Sequence, residues 1–175
     1  ALDSATGSFV YPPNSNACGT DSLSYTVTDG IATSEPSPLI VDIACVNDAP
    51  TAAPVADSTP EDTPLTGMLS CADIDSQAVV HTIVGLPVSG SVVLSSADGS
   101  SPAFVYTPTA NFNGADSFTY KCFDGERYSS EATVSLTVTP VNDAPVASYS
   151  TLSLPENGPV TLGQLVASDV DGDAL

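Results

Sequence analysis

Hydrophobic and polar residues alternate along much of the chain. Thr133-Val134-Ser135-Leu136-Thr137-Val138 keeps a period of two, and Ser117-Phe118-Thr119-Tyr120-Lys121-Cys122 does the same. Period two sends one set of side chains inward and the other to solvent, so both runs predict half-buried strands. Leu65–Cys71, Ala78–Leu86, Ser91–Ser95 and Ala103–Tyr106 are short runs rich in β-branched and aromatic residues, and they read as strands too. Turn residues separate the runs: Asp75-Ser76, Pro87, Ser89-Gly90, Asp98-Gly99, Asn113-Gly114 and Asp124-Gly125. With a first strand around Ala52–Ala56, seven strands follow one another. No segment shows a helical period.

The pattern is periodic on a larger scale as well. Val46-Asn47-Asp48-Ala49-Pro50 recurs as Val141-Asn142-Asp143-Ala144-Pro145, and Asn47 to Asn142 is a shift of 95 (142 − 47). The same shift aligns Phe9-Val10-Tyr11 with Phe104-Val105-Tyr106, Asp21-Ser22 with Asp116-Ser117, Asp29-Gly30 with Asp124-Gly125, and Pro60-Glu61 with Pro155-Glu156. One inserted residue then aligns Asp73-Ile74-Asp75 with Asp169-Val170-Asp171. The sequence therefore predicts one complete repeat at 47–141. Residues 1–46 match the C-terminal half of a repeat, and residues 142–175 match the N-terminal part. Seven short strands per repeat, with turns between them, predict an all-β fold of tandem immunoglobulin-like sandwiches.

In such a sandwich alternate loops lie at opposite ends, and this decides where the acids go. The second-to-third and sixth-to-seventh strand loops face the preceding linker. The end of the first strand and the fifth-to-sixth loop face the following one. At the first joint this collects Asn47 and Asp48 of the linker, Asp21 from the unit before, and Asp73, Asp75 and Asp124 from the unit after. At the second joint it collects Asn142, Asp143, Glu61, Asp62 and Asp116 with Asp169, Asp171 and Asp173.

Charge sharpens this picture. Asp and Glu number 21 against two Lys and Arg, for a net charge of -19. A phosphate-binding surface needs Lys and Arg, so nucleic acid is excluded as a partner, and docking on anionic lipid is disfavoured. No apolar run is long enough to insert directly into a membrane. With 42% hydrophobic residues the chain has enough apolar surface to form a core. Ala1-Leu2-Asp3-Ser4 has neither a basic nor an apolar signal region, so any signal peptide is expected outside this chain. Carboxylates crowded at a joint without basic partners repel one another. Ca²⁺ resolves that conflict by taking six to eight oxygens in a tolerant geometry. A turn-forming role would explain any single Asp-Gly. A surface of halophile type would disperse the acids rather than gather them.

The Asn-Asp-Ala-Pro linkers, Pro60-Glu61-Asp62, Pro155-Glu156-Asn157 and the Asp-x-Asp pairs at 73–75 and 169–171 resemble the calcium motifs of cadherin repeats. The closer likeness is to cadherin-like tandem repeats of large bacterial surface adhesins, with the strand Gly114-x-Asp116-Ser117-Phe118-x-Tyr120. The resemblance implies seven-stranded sandwiches joined by short calcium-binding linkers, with the grouped residues as ligands. Two departures imply one or two weakly bound ions per joint. Cys45 or Pro140 stands where a linker acid is usual, and the fifth-to-sixth loop offers a single Asp. Adhesive exchange of an N-terminal strand does not carry over, because the chain has no Trp.

None of the four cysteines has a cysteine one period away. Cys71 ends the second strand and Cys122 lies in the sixth, the strands bridged across immunoglobulin sandwiches, so a Cys71–Cys122 disulfide is expected. Cys18 and Cys45 fall at one end of the first unit and form the other expected pair. Buried free thiols are the alternative. No Cys-x-x-Cys occurs, which disfavours zinc or redox chemistry. Disulfides and calcium both imply the cell exterior.

His81 lacks an acidic or cysteine neighbour and reads as an ordinary strand residue. No nucleophile elbow, phosphate loop or His pair is present, so no enzyme is expected. The expected role is a calcium-stiffened stalk segment of a long extracellular adhesion protein, partnered by neighbouring repeats of the same chain. The alternative is a segment packed laterally against other copies in an extracellular filament or sheath. A carbohydrate-binding module fits less well, because aromatics make up only 6% of residues and occupy strand positions.

Overall fold

The computed structural model describes residues 6–75, 78–159, 163 and 165–174. Ser76, part of the expected turn after Asp75, lies outside them, as do the first four residues read for a signal peptide. The described residues form strands and no helix. The first two strands are β1 (Gly19–Tyr25) and β2 (Ser37–Ile43). The stretch expected to be the complete repeat, 47–141, carries β3 (Thr51–Ala53), β4 (Val55–Pro60), β5 (Leu65–Met68), β6 (Ser70–Ala72), β7 (Val80–Gly85), β8 (Gly90–Leu94), β9 (Ala103–Pro108), β10 (Gly114–Phe123) and β11 (Ala132–Thr139). β12 (Val146–Ala147) and β13 (Ala167–Ser168) follow.

The repeat is a sandwich. One sheet has the order β4-β11-β10-β7 and the other β5-β9-β8, with β3 paired to β6 beside them. All neighbours are antiparallel except β4 and β11, which run parallel from Val55↔Val134 to Pro60↔Thr139. Two of the seven expected strands are each split. The first breaks at Pro54, which lacks the N–H a ladder needs. It pairs with β6 before the break and with β11 after it. The second breaks at Leu69, whose N–H goes instead to the Pro102 carbonyl at 2.8 Å.

The period of two is visible in burial. Ala132, Val134, Leu136 and Val138 of β11 are buried while Thr133, Ser135, Thr137 and Thr139 are exposed. Phe118, Tyr120 and Cys122 of β10 face the same core as Phe104 and Tyr106 of β9. Phe104 and Phe118 meet edge to face at 5.1 Å between ring centres. Each such side chain contributes roughly 1.5–3 kcal/mol on burial, so these aromatic and aliphatic residues are the main attractive term of the sandwich. Tyr120 ties the layers: its hydroxyl donates toward the carbonyls of Ala53 (2.6 Å) and Ser70 (2.9 Å) and accepts from the Ser70 N–H. Cys71 on β6 is bonded to Cys122 on β10.

His81 is buried, and its Nδ1 and backbone N–H both lie 2.9 Å from the carbonyl of Gly99. The Gly99 loop therefore covers part of the open edge of β7. Gly99 has φ +72°, and a Cβ there would stand 2.4 Å from the His81 carbonyl oxygen, so only glycine fits.

The flanking elements repeat this register. β1 and β2 pair from Gly19↔Ile43 to Tyr25↔Ser37, and β10 and β11 pair from Gly114↔Val138 to Tyr120↔Ala132. Every rung is displaced by 95. Ala147↔Ala167 of β12 and β13 likewise matches Ala52↔Cys71 of β3 and β6 once the inserted residue is allowed for.

Candidate metal-binding joints

Each linker is folded by its own Asn and Asp. Asn47 Nδ2 donates to the Asp48 carbonyl at 3.0 Å, and Asn142 Nδ2 to the Asp143 carbonyl at 2.8 Å. The Asp48 N–H donates to Asp75 Oδ2 at 2.7 Å, and the Asp143 N–H to Asp171 Oδ2 at 2.6 Å. Each Asp-x-Asp pair closes its own turn: the Asp75 N–H donates to Asp73 Oδ1, and the Asp171 N–H to Asp169 Oδ1. Asp173 follows that turn, its N–H 3.4 Å from Asp169 Oδ1. The two joints are thus built alike. The first has one further link, from Asn47 Nδ2 to Asp124 Oδ2 at 2.9 Å. Asp124 also accepts the Arg127 and Glu126 N–H groups. The Arg127 N–H, the Asn47 amide and the Glu126 N–H outweigh desolvation and hold its carboxyl below the usual range.

The second joint gathers more acids. Glu61 follows β4 and is 3% exposed. Its N–H extends the parallel ladder to the Thr139 carbonyl at 2.9 Å, and its Oε1 accepts the Val141 N–H at 2.5 Å. Glu61 Oε2 and Asp143 Oδ2 are both buried and have no hydrogen-bond partner. Partial burial first, then the charges of Asp171, Asp62, Glu61 and Asp169, push the Asp143 carboxyl above the usual range. Five carboxylates from three chain segments therefore share one field. Among the described residues no three His, Cys, Asp or Glu side chains are drawn into a preformed metal-holding group.

One of the expected joint ligands is committed elsewhere. Asp116 is buried and accepts four hydrogen bonds, from the N–H groups of Val88, Ser89 and Ser117 and from the Tyr106 hydroxyl. An ionised carboxylate has about four lone-pair sites, so Asp116 has none left for an ion. It holds the loop between β7 and β8 against β9 and β10. Asp21 is exposed and accepts the Tyr11 hydroxyl at 2.5 Å and the Ser22 N–H at 2.7 Å, the counterparts of two of these four bonds one period earlier, which leaves it acceptor sites for an ion. Reading the sequence for acids alone misses this pair. The available signal was a tyrosine ten residues before the aspartate in both repeats.

The cysteines are joined as Cys18–Cys45 and Cys71–Cys122. Cys18 and Cys45 have Cα atoms 4.7 Å apart and bracket the open end of the β1–β2 hairpin.

Comparison with known proteins agrees with this architecture. The bacterial Ig domain family matches residues 47–137. Integrin beta-like protein A of Dictyostelium discoideum is 31% identical over 94% of this chain, which spans only 9% of that protein. Among solved structures, human CDH23 EC21-23 superposes with a TM-score of 0.63 at 19% identity, covering 91% of this chain and 57% of that one. Human mucin-like protocadherin EC1-2 superposes at 0.51 and 17% identity, covering 75% and 73%.

Proposed function

The chain belongs to the bacterial Ig domain family, and from that premise we propose that it is a non-catalytic, calcium-stiffened stalk segment of an extracellular surface protein involved in adhesion. Residues 1–46, 47–141 and 142–175 are then successive members of a tandem array. The observation that carries calcium is the pair of buried, unpartnered oxygens, Glu61 Oε2 and Asp143 Oδ2, within the field of Asp62, Asp169 and Asp171. A buried charged oxygen without a donor is costly, and a hard divalent cation removes that cost by binding several such oxygens together. The donor set, all oxygen, fits Ca²⁺.

At the second joint Glu61, Asp62, Asn142, Asp143, Asp169, Asp171 and Asp173 would hold the ion. At the first joint Asn47, Asp48, Asp73, Asp75 and Asp124 would do so. Bound calcium supplies charge neutralisation, and the chain supplies the linkers that become fixed by it. The two disulfides and the integrin beta-like relative support an exterior location. The second reading, lateral packing in a filament, is favoured by Met68 and Val93. These are 58% and 61% exposed on the uncharged outer face of the three-stranded sheet.

Isothermal titration of the 175-residue chain tests the calcium reading. Binding with a Kd on the order of 10⁻⁴–10⁻³ M is expected, as for other extracellular modules. Glu61→Gln with Asp143→Asn should abolish the second-joint contribution. Unchanged binding by that double variant would sink the assignment.

A further inference from the structure

We propose that Lys121, Phe123, Arg127 and Tyr128 form a binding site for an acidic glycan, one that carries carboxylate or sulfate groups on its sugar rings. The site uses none of the joint ligands and needs no calcium.

Lys121 and Arg127 are the only Lys and Arg of the chain. Lys121 and Phe123 lie two apart on β10, so they share a face, opposite the one that buries Tyr120 and Cys122. The turn after β10 is closed by Asp124, whose Oδ1 accepts the Glu126 and Arg127 N–H groups, and Tyr128 then bridges back to Phe123. The two rings stack with centres 4.5 Å apart, and the Lys121 ammonium lies 4.1 Å from the centre of the Tyr128 ring. Tyr128 is still 53% exposed, and Arg127 is exposed beside it. Among the described residues neither base forms an ion pair, and the Tyr128 hydroxyl has no hydrogen-bond partner.

The hairpin one period earlier shows what the turn itself requires. Thr28 and Thr33 make the same bridge there, and Asp29 Oδ1 accepts the Ile31 and Ala32 N–H groups as Asp124 does for its own turn. Thr26 and Ala32 stand at the positions of Lys121 and Arg127. The same turn therefore forms without either ring or either charge. What the later hairpin adds is chemistry, placed on a scaffold that does not need it.

That chemistry matches a charged sugar. An aromatic ring has a negative face, which attracts the polarised C–H groups of a pyranose. The ammonium and the guanidinium donate to a carboxylate or sulfate, the guanidinium as a fork that takes two oxygens. Thr82, exposed on β7 opposite Lys121, and the Tyr128 hydroxyl add neutral hydrogen-bonding groups. The face is open and lacks the deep apolar anchor at the centre of protein interfaces, which favours a sugar over an acidic peptide. The many acids elsewhere repel a polyanion and confine it to this spot.

Lys121 is the only lysine, so isotopic labelling of lysine alone gives one backbone amide signal, at the site. The test is a magnetic-resonance titration of the full chain in chelating buffer. The probes are hexagalacturonate, a sulfated galactan hexasaccharide, fully methyl-esterified hexagalacturonate and hexaglutamate. The signal should move saturably with at least one acidic sugar, less so as salt is raised, and should stay in place with the neutral ester. Tyr128→Thr should raise the Kd about tenfold and keep the fold, since threonine serves at position 33. Arg127→Ala should weaken binding as well. No movement with either acidic sugar at about 10 mM, enough to reveal a millimolar Kd, would overturn the site. An equal response to hexaglutamate would also overturn it and mark a patch for acidic peptides. So would an unchanged Kd for Tyr128→Thr, which would leave the ring without a role. The chelator keeps these outcomes separate from the calcium titration.

Discussion

The Tyr106 hydroxyl donates to Asp116 Oδ2 across 2.9 Å, and both residues are buried. The bond takes the last acceptor site of a carboxylate that already binds three backbone N–H groups. Removing one donor to a buried charge costs about 1.5–3 kcal/mol. Tyr106→Phe should therefore lower stability by about that much in urea unfolding, with the slope unchanged. A loss under about 0.5 kcal/mol would show that the bond does not organise the loop.

Asp116 and Asp143 should separate in a calcium experiment, because one is saturated within the sandwich and the other carries an unpartnered oxygen. At calcium 10–100 times Kd, binding stabilises by about 1.4–2.7 kcal/mol. Asp116→Asn should lower the melting temperature yet keep the upward shift with calcium. Asp143→Asn should start near the parent and lose much of the shift. The reverse pattern would return Asp116 to the joint.

Acid should unfold the repeat partly through carboxylates that the fold keeps ionised. Burial pushes the Asp116 carboxyl up, but hydrogen bonds from Val88, Ser117, Tyr106 and Ser89 outweigh it and leave the group below its ordinary value. Asp98, held by the Ser96 and Ser100 hydroxyls and the Ser100 N–H, is lowered to about 2. A folded value below the unfolded one means the group's stabilisation is complete above the unfolded value, 3.8. It is lost as pH falls through the folded value. Stability should thus drop below about pH 4, the Asp98 part between 3.8 and about 2. Asp116→Asn should flatten the slope, as measured by urea midpoints from pH 6 to 2.

Gly99→Ala should destabilise by at least about 1–3 kcal/mol, since it forces a side chain into φ +72° and against the His81 carbonyl oxygen. Gly125→Ala, at φ +108° but with nothing within 4 Å, should cost only the backbone strain. Equal losses in denaturant unfolding would show that the edge cover over β7 contributes nothing.

Cys71→Ser with Cys122→Ser opens a span of 51 residues. The chain-entropy relation gives about 4 kcal/mol for that closure. Calorimetry of the oxidised parent and the double variant checks it.

Most of the strand positions could be read from alternation, because Val134, Leu136 and Val138 are inward for the same reason they are apolar. The breaks at Pro54 and Leu69 were less legible. Pro54 announced a missing donor but not which sheet each half would join, and Leu69 donates to a carbonyl more than thirty residues away. At the joints, spacing alone brought Asp143 and Asp171 together. It did not separate them from Asp116, because whether an acid faces an ion or a ring of N–H donors depends on loop geometry. Glu61 shows the same limit: its N–H and Oε1 serve the strand ladder while Oε2 is left over.

The shared register of β1–β2 and β10–β11 creates a hazard during biosynthesis. Two hairpins with matching rungs can exchange places while adjacent units are still assembling, which is a known failure of repeat proteins. The cysteines make that error self-revealing. Val27 is the residue that would replace Cys122 if the first hairpin entered the central sandwich, so Cys71 would find no thiol. Cys18 and Cys45 lie on one hairpin and would stay joined, so Cys71 and Cys122 are the pair that the exchange would part. Oxidation of Cys71 with Cys122 therefore seals only the correct arrangement of the central sandwich, and an exchanged hairpin leaves both thiols without each other.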